Sequence, residues 1–404
     1  MIYRYSAVLF ALSLVLISTG ADWRQFRGNY GASAAAGAAP PSSWSDDENV
    51  AWKVDLVGRG PSSPIVVQGR VYVTCSDGAR QDRLLVLCFD AATGQRLWRR
   101  EFWATGRTMT HPTSAVAAPT PASDGERIFA FFSSNDLICL DLDGNLLWYR
   151  GLAYDFPKAG NDVGMSSSPT VVGDTVVVQI ENQGDSFAAG LDAASGETKW
   201  RVDRTKAANW ASPMALPRSV DGRSAVLLSD SKSLQALDAA DGRELWSYEL
   251  KCSSIPSVVA TPQRIIVPGG GLTVLELPEG ATAPALLWQS NRLNASQASP
   301  IVGDRFVLTM NGAGVLTCAD LQDGKILWQL RVGGTHWATP VLAGDLLYCF
   351  NQDGEARVVK ISDAKGEVIH SVQLGEKIQG SPAIVDGALY VRSDKHLWKV
   401  AQRR

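Results

Sequence analysis

Histidine is scarce, with only 4 in 404 residues. Most metal and acid–base sites draw on this side chain, and the four stand far apart, with no H-E-x-x-H and no G-x-S-x-G anywhere. The 6 Cys include no C-x-x-C, no C-x-x-C-H and no adjacent pair, so neither a zinc knuckle nor covalent c-type haem is encoded. An excess of charge is missing too: 38 Lys+Arg stand against 41 Asp+Glu, a net −3, and no diffuse basic field exists to attract nucleic acid or anionic lipid. Helical periodicity is absent at any convincing length.

What the chain does have is an apolar stretch behind Arg4, from Ala7 to Ile17, followed by Thr19-Gly20-Ala21. These are the charged, apolar and small-residue parts of a secretory signal, with cleavage expected after Ala21. The competing reading is a retained anchor, but 11 apolar residues fall short of the roughly 20 that span a bilayer. No Cys follows the run to carry a lipid. Export to the periplasm as a soluble monomer, with no membrane insertion once the signal is removed, is the expectation. In that compartment the Cys can be disulfides or buried small hydrophobes; Cys88, Cys139 and Cys318 each precede an acidic turn residue in a strand-like run, which favours packing, and Cys75 with Cys88 is the one plausible bridge.

A small residue, a Pro and an apolar run recur at Ser63-Pro64, Thr120-Pro121, Ser168-Pro169, Ser212-Pro213, Ser299-Pro300, Thr339-Pro340 and Ser381-Pro382, with Ile255-Pro256 as a variant. The prolines are 57, 48, 44, 43, 44, 40 and 42 residues apart, a period that marks propellers and solenoids. Each unit opens with Pro where its missing N–H does no harm, continues through a short alternating run such as Ile65-Val66-Val67, and turns at a Gly. Two further strands follow. The third ends in Asp90-Ala91-Ala92-Thr93-Gly94 with Trp98 four residues on, and Asp192 to Trp200, Asp238 to Trp246 and Asp320 to Trp328 repeat that spacing. Asp caps the turn, Gly takes positive φ, and the fourth strand delivers an indole at fixed depth between neighbouring sheets.

This acidic turn with Trp four after Gly resembles the A-x-D-x-x-T-G-x-x-x-W repeat of pyrroloquinoline quinone (PQQ)-type β-propellers, over nearly the whole mature chain. It implies an all-β fold: an eight-bladed propeller of four-stranded antiparallel blades, with seven blades as the alternative. The segment from Asp141 to Trp148 is one residue short, Glu276 to Trp288 is four long, and His370 replaces the last Trp, so those blades are expected to be irregular. The final unit lacks its fourth strand. Val50 to Leu56, with Trp52, is expected to complete it and close the ring, so that residues 1–21 are signal, 22–49 an outer strap and 50–404 the propeller.

Two loops entering inner strands are long and open on the channel face: Phe102 to Pro119, with Trp103, Arg107 and His111, and Gly151 to Ser168, with Tyr154, Asp155, Lys158, Asn161 and Asp162. They are either a binding rim or a lid packed by its own side chains. Asn209-Trp210 and His336-Trp337 occupy matched positions before inner strands, as core or as a stacking platform. Glu181, Asn182 and Asp185 are either solvated turn residues or an oxygen-ligand group for a hard cation.

Two functions follow. The resemblance to the propeller of the bacterial outer-membrane-protein assembly machinery implies an envelope binding or scaffold module for a protein or glycan on the channel face. The resemblance to quinoprotein alcohol or sugar dehydrogenases implies PQQ and Ca²⁺ at the channel mouth, with Trp210 or Trp337 as stacking floor, the Glu181 group as cation ligands and Asp155 or Asp162 as base. Those enzymes carry adjacent Cys residues over the quinone, which this chain lacks.

Overall fold

The computed structural model describes residues 22–402 apart from 30, 32, 36, 46 and 161. The expected signal peptide and Asn161 lie outside the described residues. Eight antiparallel sheets cover 65–103, 122–151, 170–203, 214–249, 259–290, 301–331, 341–373 and, for the eighth, 383–400 together with 50–55. One helix of four residues, Leu152–Asp155, is the only one among the described residues, and none there is long and apolar enough to cross a membrane. Middle strands such as Arg70–Asp77 and Arg83–Asp90 are buried at every position but their two ends because a neighbouring blade covers each face. Outer strands alternate, as Val50–Asp55 does. The core therefore lies between blades: Phe129 and Leu137 of the second pack with Val176 and Phe187 of the third.

Closure is as expected. Val50–Asp55 is the outermost strand of blade 8, antiparallel to His396–Val400, with Val50 opposite Val400 and Asp55 opposite His396. Each junction is then held by an indole. Asp90 Oδ1 accepts from the Ala92 and Thr93 amides at 3.0 and 2.7 Å, Gly94 turns at φ +74, and Trp52 of blade 8 lies on that glycine and donates to Ala91 O at 3.2 Å. A Cβ on Gly94 would stand 2.7 Å from the ring. The same contact joins Trp98 to Gly144, Trp148 to Gly196, Trp200 to Gly242, Trp288 to Gly324 and Trp328 to Gly366. Burial of about 150–250 Å² per indole places an upper bound of about 4–6 kcal/mol on each.

The short Asp141 turn still presents Gly144 to Trp98, so that blade docks regularly, contrary to expectation. The long turn after Glu276 does disturb its junction: Trp246 is buried but its Nε1 has no acceptor. Where His370 stands, the wedge comes from elsewhere. Trp44, buried, lies 5.2 Å from the His370 ring and 6.3–6.4 Å from Phe350 and Tyr348.

On the other face the inner strands are joined by hydroxyls. The amide of Ser63 donates to Thr120 Oγ1, Thr120 to Ser168, Ser168 to Ser212, Ser212 to Ser257, Ser257 to Ser299, Ser299 to Thr339 and Thr339 to Ser381, all at 2.9–3.1 Å. Blades 8 and 1 are joined by fully buried Arg392, which donates to Ser62 O and Oγ, to Thr74 O at 2.6 Å and to Cys75 Sγ at 3.2 Å.

All six Cys are free and buried, as the packing reading expects; Cys75 stands opposite Leu85 and Cys88 opposite Tyr72, so the alternative bridge between those two thiols is not formed. One expectation is corrected. The segment expected as an outer strap runs inside the channel. Trp23 exchanges both backbone hydrogen bonds with Val66, Arg24 O accepts from Ser123, Arg27 donates to Val258 O, and Ala34–Ala35 pairs parallel to Leu342 and Ala343. All these partners lie on or beside inner strands, whose channel-side edges offer unpaired backbone groups; a segment rich in Gly and Ala fits there and satisfies them. It leaves past Ala38 beside Gly387 and Pro40, whose carbonyl accepts from Tyr348.

Trp200 donates to Ala239 O at 2.9 Å, whereas Trp246 donates to nothing. Trp200→Phe is therefore expected to destabilise by about 1 kcal/mol more than Trp246→Phe in urea unfolding; equal losses would show that the indole hydrogen bond contributes nothing to the junction.

Candidate functional site

The loops that lead from each outer strand to the next inner strand gather on the face opposite the acidic turns. Because the described residues among 22–35 fill the channel from the turn side, what remains is a one-ended cup of about 550 Å³. Phe26 is its floor, the belt hydroxyls Ser63, Thr120, Ser168, Ser212, Ser257 and Ser381 ring it, and Trp210 and Trp337 stand at its wall three blades apart. All but Ser63 of these belt oxygens accept from backbone amides, so their own O–H groups remain as donors.

The two long loops are fixed at their bases and meet at their tips. Buried Asp136 accepts from the Thr105 amide at 3.0 Å, Thr105 Oγ1 at 2.5 Å, Ser134 Oγ at 2.6 Å and Tyr149 at 2.7 Å. Desolvation, then the carboxylate of Asp136, push the Tyr149 phenol up, which keeps it a donor. Beyond that anchor, the His111 amide donates to Val163 O at 3.0 Å, the Met165 amide to Ser133 Oγ at 2.7 Å, and Trp210 Nε1 to Gly164 O at 2.8 Å. Arg107 reaches Asp162 at 3.4 Å, an exposed pair worth about 0–1 kcal/mol.

Arg107, His111, Asp162 and Trp210 are thus brought together at one side of the cup, with Trp337 across it. Trp103 and Tyr154 point outward at the rim, 66% and 81% exposed, and Asp155 is held by Arg150 at 2.6 Å. Asn209 and His336 lie beneath the surface. Asn209 bridges Glu181 Oε2 at 2.8 Å and Ser229 O at 2.7 Å.

Glu181, Asn182 and Asp185 serve three different contacts. Glu181 is buried against Arg204 at 2.7 Å, and Arg204 also approaches Asp230 at 3.4 Å and bonds Gln235. Burial pushes the Glu181 carboxyl up against the pull of Arg204. Burial acts the same way on Asp230, but the amides of Lys232 and Ser233 and the Arg204 charge outweigh it and hold that carboxyl below the usual range. Asn182 Oδ1 caps the Gly184 amide at 2.6 Å, and Asp185 pairs with Arg201 at 2.7 Å. Among the described residues no three His, Cys, Asp or Glu side chains are placed to hold a metal ion. The cup is lined by hydroxyls, amides, indoles and alkyl groups, with His111 its one titratable side chain. That lining offers no carboxylate to neutralise the ion of a Ca²⁺–PQQ pair, and so does not fit it.

Sequence reasoning missed Phe26 and the belt. A signal for the belt was present: aligned on the hydroxyl instead of the proline, the variant unit Ile255-Pro256-Ser257 falls into register through Ser257. No periodic signal marks Phe26, which stands outside the repeats.

The sequence profile of the family described as outer membrane protein assembly factor BamB matches residues 42–189, 82–275 and 279–356. A protein of that name from Burkholderia pseudomallei is 25% identical over 353 residues, covering 74% of this chain and 83% of the relative. Among solved structures, BamB from Moraxella catarrhalis superposes with a TM-score of 0.66 at 16% identity, covering 88% of this chain and 98% of that one. A europium-containing methanol dehydrogenase superposes at 0.68 with 13% identity, covering 94% and 98%. At these identities the two structures show the shared fold.

His336 generates a pH dependence. Burial holds its imidazole down at about 4 against an ordinary 6.5. Between those values the unfolded chain takes up a proton that the folded chain refuses. The contribution is full above pH 6.5 and is lost as pH falls toward 4, amounting to about 3 kcal/mol at most. His336→Gln is expected to flatten the stability profile over this window, measured by unfolding at a series of pH values; an unchanged slope would assign the dependence to other groups.

Proposed function

The chain belongs to the outer membrane protein assembly factor BamB family, and from that premise we propose that it is an exported, periplasmic scaffold propeller that binds an envelope protein on its channel face. The observation that carries this reading is the asymmetry of the two faces. The turn face is occupied by capped Asp turns and docked indoles, all engaged in holding blades together. The channel face carries the three most exposed large apolar side chains among the described residues, Tyr154, Trp103 and Met109, around a cup lined in part by Val163 and Ile255. Aromatic groups held on anchored loops give large contact area at little entropic cost, as protein interfaces require. The absence of acidic side chains from the cup lining speaks against dehydrogenase chemistry there.

The test compares wild type with Arg107→Ala/His111→Ala and with Trp103→Ser/Tyr154→Ser, in pull-downs from envelope extract. Both double variants are expected to lose the partner recovered by wild type, at a cost in stability under about 1 kcal/mol, because these side chains are at the exposed rim. Identical partner sets from all three forms would remove the channel face from consideration.

A further inference from the structure

The cup offers hydrogen-bond donors and no fixed charge. Thr120, Ser168, Ser212, Ser257 and Ser381 line it, and each hydroxyl oxygen accepts the amide of the belt residue before it at 2.9–3.0 Å. An oxygen held in this way still has its own O–H to give, and among the described residues none of the five gives it to a protein acceptor. The lining includes no Lys, Arg, Asp or Glu, and the Nδ1 of His111 is engaged with Thr113 Oγ1 at 2.8 Å. Carbon surface makes up much of the rest. The Trp210 N–H is taken by Gly164 O, so that side chain presents only its ring to a ligand, and Phe26 and Trp337 add two more aromatic rings.

These properties select the chemistry of an occupant. An anion or a cation finds no counter-charge there, and a charge enclosed without one is strongly disfavoured. An apolar side chain of a partner suits the indoles but covers the belt O–H groups without accepting from them, which leaves buried donors unsatisfied. A sugar ring meets both demands. Each of its hydroxyls accepts as well as donates, and its C–H surface, slightly positive, suits the negative face of an indole. At about 550 Å³ the cup lies within the roughly 300–1,000 Å³ of small-molecule sites, and its upper end is open for entry.

We propose that the cup is a binding site for one uncharged saccharide, with its hydroxyls on the belt and its C–H surface against Trp210 and Trp337. Selection lies in the belt. Its donors are fixed by the blades, so a sugar whose hydroxyls are misplaced leaves them unpaired and is rejected. The site goes beyond the envelope-partner reading and does not rest on it, since Trp103 and Tyr154, the exposed aromatic groups of the rim, do not line the cup.

Titration calorimetry on the purified chain tests the site. The uncharged probes are glucose, N-acetylglucosamine, maltose and cellobiose; glucosamine and glucuronate are charged counterparts, and N-acetyl-leucinamide stands in for a partner's side chain. At least one uncharged sugar is expected to bind one site per chain with half-saturation at about 1 mM or below, and the charged counterparts about tenfold more weakly. Trp337→Leu is expected to weaken that sugar about tenfold. Ser63→Ala removes a cup hydroxyl that accepts no belt amide, so it is expected to weaken the sugar severalfold while the unfolding midpoint stays in place. Trp246→Phe, at a blade junction on the turn face, is expected to bind as wild type does. No uncharged sugar bound by the folded wild type, equal binding of the charged counterparts, an affinity unchanged in both Trp337→Leu and Ser63→Ala, or tighter binding of N-acetyl-leucinamide would each overturn the proposal. No extract enters this titration, so its failure and that of the pull-downs are told apart.

Discussion

The ring depends on one contact, an indole laid on the glycine of the next blade's acidic turn. A sheet buried on both faces has no preferred neighbour beyond apolar area, which is non-directional and tolerates sliding. The Trp–Gly contact removes that freedom. The Asp carboxylate fixes the turn, the turn fixes the glycine, and the carbonyl following the Asp takes the indole N–H, as in Trp52 with Ala91 or Trp148 with Ala193. Five junctions share it and a sixth, Trp328 on Gly366, keeps the indole and glycine on a turn held by Ser362; each sets the angle between two blades from the outside of the ring. The hydroxyl belt sets the same angles from the inside, so that every blade is registered at two radii.

Two-point registration is what allows the centre of the molecule to carry a cup. With the blades held at both radii, the loops above them need not contribute to holding the ring, and the two longest can instead meet over the channel, tied by His111 to Val163 and by Trp210 to Gly164. The channel segment then divides the axis into a closed lower part and an open upper part.

Most of the ring was legible because repetition averages out local ambiguity: eight Pro-led starts and four identical Asp–Gly–Trp spacings point to one architecture whatever any single unit does. The candidate site was legible only where it coincided with unusual loop length. Arg107, His111, Asp162 and Trp210 come together because their loops are long and adjacent. Asn209, His336 and Glu181 sit in equivalent stretches but face inward, a distinction that depends on one residue of register and leaves no compositional trace. The channel segment was misplaced for a different reason. Its Gly and Ala content is suited equally to an exposed strap and to a chain that must lie against backbone edges, and only Arg27 and Trp23 hinted at the second.

Closure by Val50–Asp55 also imposes an order on folding. Val50 pairs with Val400, so the strand made near the start waits for one made at the end. The inner strands that hold Trp23 and Ala34 belong to blades 1 and 7, and neither edge is complete until its blade has formed. Pairing between such distant parts of a chain is slow, because its loop entropy must be met before any contact rewards it. For most of its synthesis the polypeptide therefore carries an unpaired edge strand at one end and an incomplete blade at the other, two complementary surfaces that a second copy of the same chain could join by exchange. The ring closes around its own leading segment, and once closed that segment can leave only by breaking the strand pairs along the channel.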